Sequence, residues 1–464
     1  MLREWLRLAP HVRWWTKERE LVFATDCSGL AIPEMGLTAM AAKQGARLHQ
    51  LFACDITSHC QSWLRNVAVT VYQDMCKRIF APETRQIAGR TIDGAVHRTP
   101  AAAQLDVYLC GFMCTPFTPN GQRQRWGDKA SLTFWAAVKT INTLLPKIFI
   151  LENVMGVSNN ANQETLQAGL ATLTAYTVIT TRLNSVDFNV PTWRQRLYMV
   201  GFRTDCLQPR FAALPQPTFQ RFFGNLLMQS HSPRPTSFRQ WLADEGAPIV
   251  PAPGQEAPNV AQCTCGIRDG QVCPSHPCHC NQCKKHGQRA MKCAWRQIHR
   301  RFQKSRVKQH RAYLNKWRVI KKDKKLKSPP LYFEIAAMRG VDTAKAQTPR
   351  QRSLLTIWSK SQNLVTPLGI LNITKSIGRT CWRADGLVPP LGEGCSGMFL
   401  PNDGCGLSAE QLLLLTGMCR EVQGPLFDLA LEIPMSHLDD MVGHAMSLPV
   451  VSIVVANALR LISP

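Results

Sequence analysis

Between residues 20 and about 205 the chain alternates short β-branched or aromatic runs with longer helical patterns, and this alternation limits its fold more than any other feature. "ELVFATD" precedes "IPEMGLTAMAAKQ", and "LHQLFACD" precedes "SHCQSWLRNVAVTVYQDM", which reads as one helix. "LDVYLCG", "KIFILEN" and "RLYMVGF" follow as further strands. Such alternation predicts an α/β fold with a mainly parallel sheet and helices on both faces. Sheets of this kind carry their chemistry in loops at the carboxyl ends of the strands. The first four strands end in polar or reactive residues: Thr25 and Asp26, then Asp55, then Cys110 through Cys114, then Glu152 with Asn153.

The charge balance points to a polyanionic partner. The 464 residues carry a net charge of +24, and the eighteen Lys and Arg between Lys284 and Lys327 face the single acid Asp323, a local excess of +17. The rest of the chain holds only about +7, so the polyanion-binding surface is one element, with nucleic acid ahead of an acidic membrane as its partner. The start, "MLREWLRLAPHVRWWTKERE", interrupts its apolar residues with charge and has no signal-peptide core. The longest apolar stretch, "SLPVVSIVVANALRLI", falls short of the roughly 20 residues of a membrane span. An intracellular location is expected, the nucleus in a eukaryote and otherwise the cytoplasm, so the 18 cysteines read as thiols and metal ligands and not as disulfides.

Residues 206 to 260 are rich in Pro, Gln and Ser and read as a connecting region, with "FRQWLAD" as a short helix. "CTCGIRDGQVCPSHPCHCNQCKKHGQRAMKC" then offers seven cysteines and three histidines, enough for two tetrahedral zinc sites. One split joins Cys263, Cys265, Cys273 and Cys278, and leaves Cys280, Cys283, His286 and Cys293; His276 and His279 keep other pairings open, and a redox cluster or unliganded thiols are the alternatives. The next segment, 294–327, sets Trp295, Ile298 and Phe302, and later Leu314, Trp317 and Ile320, near helical spacing, with basic residues on the other faces. That pattern suits phosphate contacts that fix register without reading bases, although "KKDKKLK" equally fits nuclear import. "SAEQLLLLTGMCREV" reads as an amphipathic helix, and a last apolar helix starts near Leu448.

Taken in order, the strand-end residues resemble the motifs of the cytosine-5 methyltransferase family over residues 20–205 and again over about 370–460. The resemblance implies a Rossmann-like class I methyltransferase sheet, a smaller target-recognition domain carrying the zinc insert and basic helix, and methyl transfer from S-adenosylmethionine to carbon-5 of a flipped cytosine. Its domain plan is a tail (1–19), a catalytic domain (20–205), a target-recognition region (206–370) with zinc cluster 263–293, and C-terminal motifs (371–464) that return to the catalytic domain. "CGFMCTPFTPNGQR" is similar to the loop that presents the nucleophile, in Cys114's place. The residue type follows from the chemistry: carbon-5 of cytosine is too electron-poor to attack a sulfonium until a soft thiolate adds at carbon-6. A lone cysteine is more often an inert core thiol, and the neighbouring motifs reverse that preference.

Glu152 in "LENV" resembles the acid that holds or protonates the ring nitrogen-3, where a strand-end Glu taken alone would be a helix cap. Arg194 and Arg196 in "VPTWRQRLYMVGFR" resemble the family's paired arginines, with Thr192 in place of Gln; the resemblance implies that Arg196 contacts the cytosine oxygen-2 and that Arg194 supports the Cys114 loop. For the cofactor, "FATDCSGL" resembles the first glycine-rich turn and implicates Ala24, Thr25, Asp26, Cys27, Ser28, Gly29 and Leu30, with Asp26 and Ser28 where glycine is usual. Asp55 matches the acid that accepts ribose hydroxyls, Ile56 the adenine-side contact, and Asp74 in "YQDM" the next acidic motif. "GLSAEQLLLLTGM" carries Glu410 in the penultimate motif. "MVGHAMSLPVV" resembles the closing motif, with His444 in place of Asn beside Ala445.

These matches predict a DNA (cytosine-5)-methyltransferase acting on DNA, in duplex form. "PFT" after the cysteine is also similar to the tRNA-methylating branch, so RNA remains an alternative substrate, and Asp26, Ser28, Met113 and His444 leave open a catalytically degenerate nucleic-acid-binding protein. Met113 stands where the family has proline; it frees the residue before the nucleophile and restores an amide donor, which predicts a slower or more mobile loop and a gain in turnover on Met113→Pro.

Overall fold

A computed structural model describes residues 4–102, 104–118, 125–232, 235, 237–246, 370–372, 382, 383, 387–392, 398–400 and 405–463. The zinc cluster 263–293 and the basic segment 294–327 lie outside the described residues. The chain divides into two compact units: Met1–Pro235 with Leu391–Glu393 and Ala409–Pro464 form the first, and Thr236–Pro390 with Gly394–Ser408 the second.

In the first unit, a short helix α1 (Glu4–Leu8) leads to β1 (Leu21–Asp26), α2 (Ile32–Gln44), β2 (Leu48–Cys54), α3 (Ser58–Leu64) and β3 (Val71–Tyr72). Strands β4 (Ile79–Ala81), β5 (Gln86–Arg90) and β6 (Val96–Arg98) form a separate antiparallel sheet before the chain returns as β7 (Val107–Cys110). Then come α4 (Leu132–Leu144), β8 (Ile148–Val154), α5 (Gln163–Ala171), β9 (Tyr176–Asn184) and β10 (Gln195–Arg203). The main sheet has the order β3-β2-β1-β7-β8-β10-β9. Strands β3, β2, β1, β7 and β8 run parallel, and β10 is antiparallel to both β8 and β9. This is a mixed α/β architecture with a largely parallel sheet.

The central strands are buried on both faces, as continuous apolar runs require: Val107 through Cys110 and Ile148 through Leu151 are fully enclosed. Helix α2 ends at Gly45, whose φ of 63° places it in the left-handed region, and its N–H returns to the carbonyls of Ala41 and Ala42.

Three expectations are corrected. The segment from Ser58 is not one helix: α3 stops at Leu64, and Val71 and Tyr72 pair with Ala53 and Cys54 as the sheet's edge. Its β-branched residues Val67, Val69, Thr70 and Val71 lose side-chain freedom in a helix and suit a strand. The connecting region contains α6 (Pro209–Ala212) and α7 (Gln216–Gln229), whose Phe219, Phe223 and Leu227 are buried. In the second unit, Ser237 caps α8 (Phe238–Asp244) by accepting from the Gln240 amide. There too, β11 (Ile370–Asn372), β12 (Trp382–Arg383), β13 (Met398–Leu400) and β14 (Cys405–Gly406) form an antiparallel sheet of order β12-β11-β13-β14.

The third correction concerns the C-terminal helix, which is broken into α9 (Ala409–Leu414) and α10 (Arg420–Gln423). Gly417 makes the break at φ 95°, where a Cβ would sit 2.2 Å from Pro449 Cδ. After α11 (Pro425–Leu431) come α12 (Met435–His444) and α13 (Leu448–Leu459). Residues Met435–Leu459 are long and apolar enough to cross a membrane by length and composition alone, but the most apolar 18-residue window within them is 94% buried inside the fold. Every residue of α13 is buried, and Ser452 approaches Gly36 of α2 so closely that a Cβ there would lie 2.3 Å from its Oγ.

Candidate active site

Strands β7, β8 and β10 meet where the parallel sheet turns antiparallel, and the residues singled out for chemistry lie there. Register pairs Arg196 with Val154 and Leu197 with Asn153 across β10 and β8, while Cys110 pairs with Leu151 across β7 and β8. The loop beyond Cys110 is anchored by aromatic packing. Phe112 meets Phe117 edge-on at 6.3 Å and Phe134 at 5.2 Å, and Phe117 packs on Trp126 at 4.7 Å. Gly156, just after β8, lets this loop approach: a Cβ there would sit 2.0 Å from the Phe117 carbonyl oxygen.

Cys114 begins a short turn, Thr115–Phe117, and is half-buried. Burial pushes its thiol up, the Arg196 guanidinium pulls it down, Glu152 raises it and Arg194 lowers it. Glu152 is almost fully buried, and burial raises its carboxyl while Arg196 and Arg194 oppose the shift. Arg196 Nε lies 3.0 Å from Glu152 Oε1, close enough to pair in charge but off the hydrogen-bond axis, so Oε1 keeps an unused hydrogen-bonding capacity. Cys114, Glu152 and Arg196 therefore form one charged cluster.

Arg194 does different work from that implied by the resemblance. It is fully buried, which pushes its guanidinium down to about 10, with repulsion from Arg196 adding to the effect. Its Nη1 donates to the Leu391 carbonyl at 2.8 Å, and its Nη2 donates to the carbonyls of Gly443, at 3.2 Å, and Ala445. None of these bonds reaches the Cys114 loop; Arg194 instead holds the C-terminal turn against the site. That turn brings in Met446, missed in the sequence, whose Cε would lie 2.9 Å from a Cβ on Gly111.

Two further residues hold the loop: Asn153, the polar neighbour of Glu152 at the strand end, and Thr133, which carries no sequence signal of its own. Asn153 Nδ2 donates to the Phe112 carbonyl at 2.8 Å, and Thr133 Oγ1 accepts from the Met113 amide at 3.1 Å. The amide that methionine restores is thus taken, and the loop is tied at the point where it was expected to be loose.

The expected cofactor turn between β1 and α2 is tightly wound, with Cys27, Gly29 and Ala31 all in the left-handed region. Only Cys27 and Gly29 of its implicated residues are partly open; Ala24, Thr25, Asp26, Ser28 and Leu30 turn inward. Thr25 Oγ1 meets Ser28 Oγ at 2.7 Å and donates to Glu34 Oε1. Asp26 is corrected from a ligand-facing residue to half of an internal ion pair. Arg78 Nη1 and Nη2 donate to its two oxygens and Tyr108 Oη donates at 2.6 Å, while the Arg78 guanidinium lies 4.7 Å from the Phe52 ring centroid and 4.8 Å from that of Tyr72.

Asp55 directly follows β2 and accepts from the amides of Gly29 and Thr57, both at 2.9 Å, which leaves lone pairs on both oxygens. Ile56 beside it is 68% exposed, and no heavy atom lies within 4 Å of where a Gly29 Cβ would stand. Open backbone, a carboxylate and an exposed apolar side chain at adjacent strand ends fit an adenosine-bearing ligand. Asp74 lies past the end of β3; its carboxylate caps a short turn by accepting from Cys76 N and pairs with Lys77. The His444 ring bonds to Asp440 of its own helix, and Asp440 Oδ2 also meets His59 Nε2 at 3.1 Å. Glu410 lies 3.5 Å from Arg420.

A half-buried thiol loop, a strand-end carboxyl and an arginine pair on an open α/β sheet are the parts that attack on a substrate through cysteine beside a separate cofactor turn would require. The family model for the C-5 cytosine-specific DNA methylase matches residues 45–243 of the chain. The matched segment includes Asp55, Cys114, Glu152, Arg194 and Arg196, and begins after the β1–α2 turn.

Among curated relatives, the type II methyltransferase M.NlaX of Neisseria lactamica is 33% identical over 147 residues, covering 30% of this chain and 46% of the relative. The type II methyltransferase M.NgoBI of Neisseria gonorrhoeae is 35% identical over 136 residues, 29% of this chain and 42% of the relative. M.HhaI of Haemophilus parahaemolyticus is 28% identical over 102 residues, 22% and 31%. The chain spans less than half the length of these relatives.

Proposed function

We propose that the protein is a DNA cytosine-5 methyltransferase whose nucleophile is Cys114. The observation that carries this reading is the cluster of Cys114, Glu152 and Arg196 at the ends of three adjacent strands, inside the segment that matches the family model. The Cys114 thiolate adds to carbon-6 of a flipped cytosine, and the displaced ring electron pair makes carbon-5 nucleophilic. Glu152 holds a proton at ring nitrogen-3, a task that suits a carboxyl raised by burial. Protonation of Glu152 also removes the negative charge that raises the thiol, so Arg196 and Arg194 then favour the thiolate. Arg196 is placed to neutralise charge on the ring oxygen-2. Loss of the carbon-5 proton after methylation breaks the carbon–sulfur bond and returns the thiolate. S-adenosylmethionine, when bound, supplies the electrophilic methyl group; Gly29, Asp55 and Ile56 would hold it.

Two parts of this proposal rest on sequence alone. Residues 263–293 form a zinc-binding insert of the target-recognition region, supported by their ten Cys and His residues. Residues 294–327 contact the phosphates of duplex DNA, supported by their basic excess. Metal analysis of the purified protein is expected to give two zinc ions per chain, and a metal-free protein contradicts the insert. Incubation with methyl-labelled cofactor and matched DNA and tRNA tests the reaction. Label in DNA is expected; label only in tRNA gives the substrate to the other branch, and label in neither supports a non-catalytic scaffold.

A further inference from the structure

The peptide unit joining Phe112 to Met113 is gripped at both ends. Its carbonyl accepts from Asn153 Nδ2 of β8 at 2.8 Å, and its amide donates to Thr133 Oγ1 of α4 at 3.1 Å. The Thr133 hydroxyl proton is already committed to the Ala130 carbonyl at 2.7 Å, so its lone pair faces the loop. Asn153 is itself fixed, its Oδ1 accepting from the Val154 amide at 2.8 Å. Two bonds from different elements set the plane of one peptide, and the next residue is Cys114. A proline ring before the nucleophile would fix the same backbone angle covalently and would have no amide for Thr133 to accept.

We propose that Thr133 is a positioning residue: with Asn153 it locks the Phe112–Met113 peptide plane, aims Cys114 at its substrate, and replaces the constraint that proline would give. The proposal rests on the reading of Cys114 as the nucleophile. Thr133→Val keeps the shape and removes the acceptor; Thr133→Ser keeps the acceptor. In Met113→Pro the amide is gone, so the Thr133 bond has nothing left to do.

The experiment measures two rates in each variant: covalent capture on a duplex containing 5-fluorocytosine in the presence of S-adenosylmethionine, and alkylation of Cys114 by iodoacetamide followed by peptide mass mapping. Thr133→Val is expected to slow capture about tenfold, because a displaced nucleophile loses near-attack geometry. It is also expected to speed alkylation, because a released loop exposes a half-buried thiol. Cofactor affinity stays within about twofold, Thr133→Ser restores both rates, and in the Met113→Pro background Thr133→Val changes capture by less than about twofold. Unchanged rates in Thr133→Val, or an equal fall in the Met113→Pro background, overturn the latch. If the wild type forms no adduct while alkylation still follows the Thr133 pattern, the latch stands and the methyltransferase reading fails.

Discussion

The two halves of the site are built on opposite principles. Around Cys114, charged groups are left incompletely matched: Glu152 Oε1 is buried without a hydrogen bond, and two arginines face one carboxylate. In the β1–α2 turn the charge is cancelled, because Asp26 is enclosed by Arg78, Tyr108, Phe52 and Tyr72. The first arrangement keeps electrostatic work in reserve for a substrate; the second uses its charge to hold four strands, β1, β2, β3 and β7, to the turn that carries Arg78. A residue in a motif position is thus not a ligand contact by that fact alone, and the partner decides which it is.

The largest effect should come from breaking the cancelled pair. Asp26→Ala leaves the Arg78 cation buried alone and is expected to cost about 3–5 kcal/mol of stability in denaturant unfolding, while Asp26→Ala with Arg78→Met recovers most of the loss. A loss under about 1 kcal/mol would mean that the pair is no structural lock. On the other side, Glu152→Gln removes the proton holder and should slow capture on 5-fluorocytosine about 100-fold with little change in unfolding. Equal losses of stability and rate would erase the distinction between the two halves.

A subtler test uses pH. Glu34, buried behind the turn, has its carboxyl raised to about 7 by desolvation, against hydrogen bonds from Thr25 and Ser28 that lower it. A raised acid contributes stability that is complete below its unfolded value near 4.5 and is lost as pH rises through the folded value, so the native protein weakens between pH 5 and 8. Glu34→Gln should flatten that slope by about 3 kcal/mol across the interval; an identical slope in both proteins would show that Glu34 does not titrate there.

The same contrast explains what was legible in the sequence. Glu152 and Arg196 were readable because each lies near the end of a strand whose apolar run announces itself, where sheet register brings β8 and β10 together, and Cys114 was readable because it closely follows a third such strand. Asp26 was misplaced because its partner, Arg78, is 52 residues away, past an edge strand hidden in a segment read as helix. Thr133 reaches the loop from a helix whose own pattern says only helix, and Met446 from a turn between two helices that is distant in sequence. The break at Gly417 was invisible because it depends on contact with Pro449.

The central claim is that Cys114 forms a covalent bond with cytosine. A duplex carrying 5-fluorocytosine in varied contexts, incubated with S-adenosylmethionine and the protein, is expected to yield a denaturation-resistant adduct whose crosslinked peptide contains Cys114, and Cys114→Ala should yield none. An adduct at another cysteine, or an adduct that survives Cys114→Ala, contradicts the account.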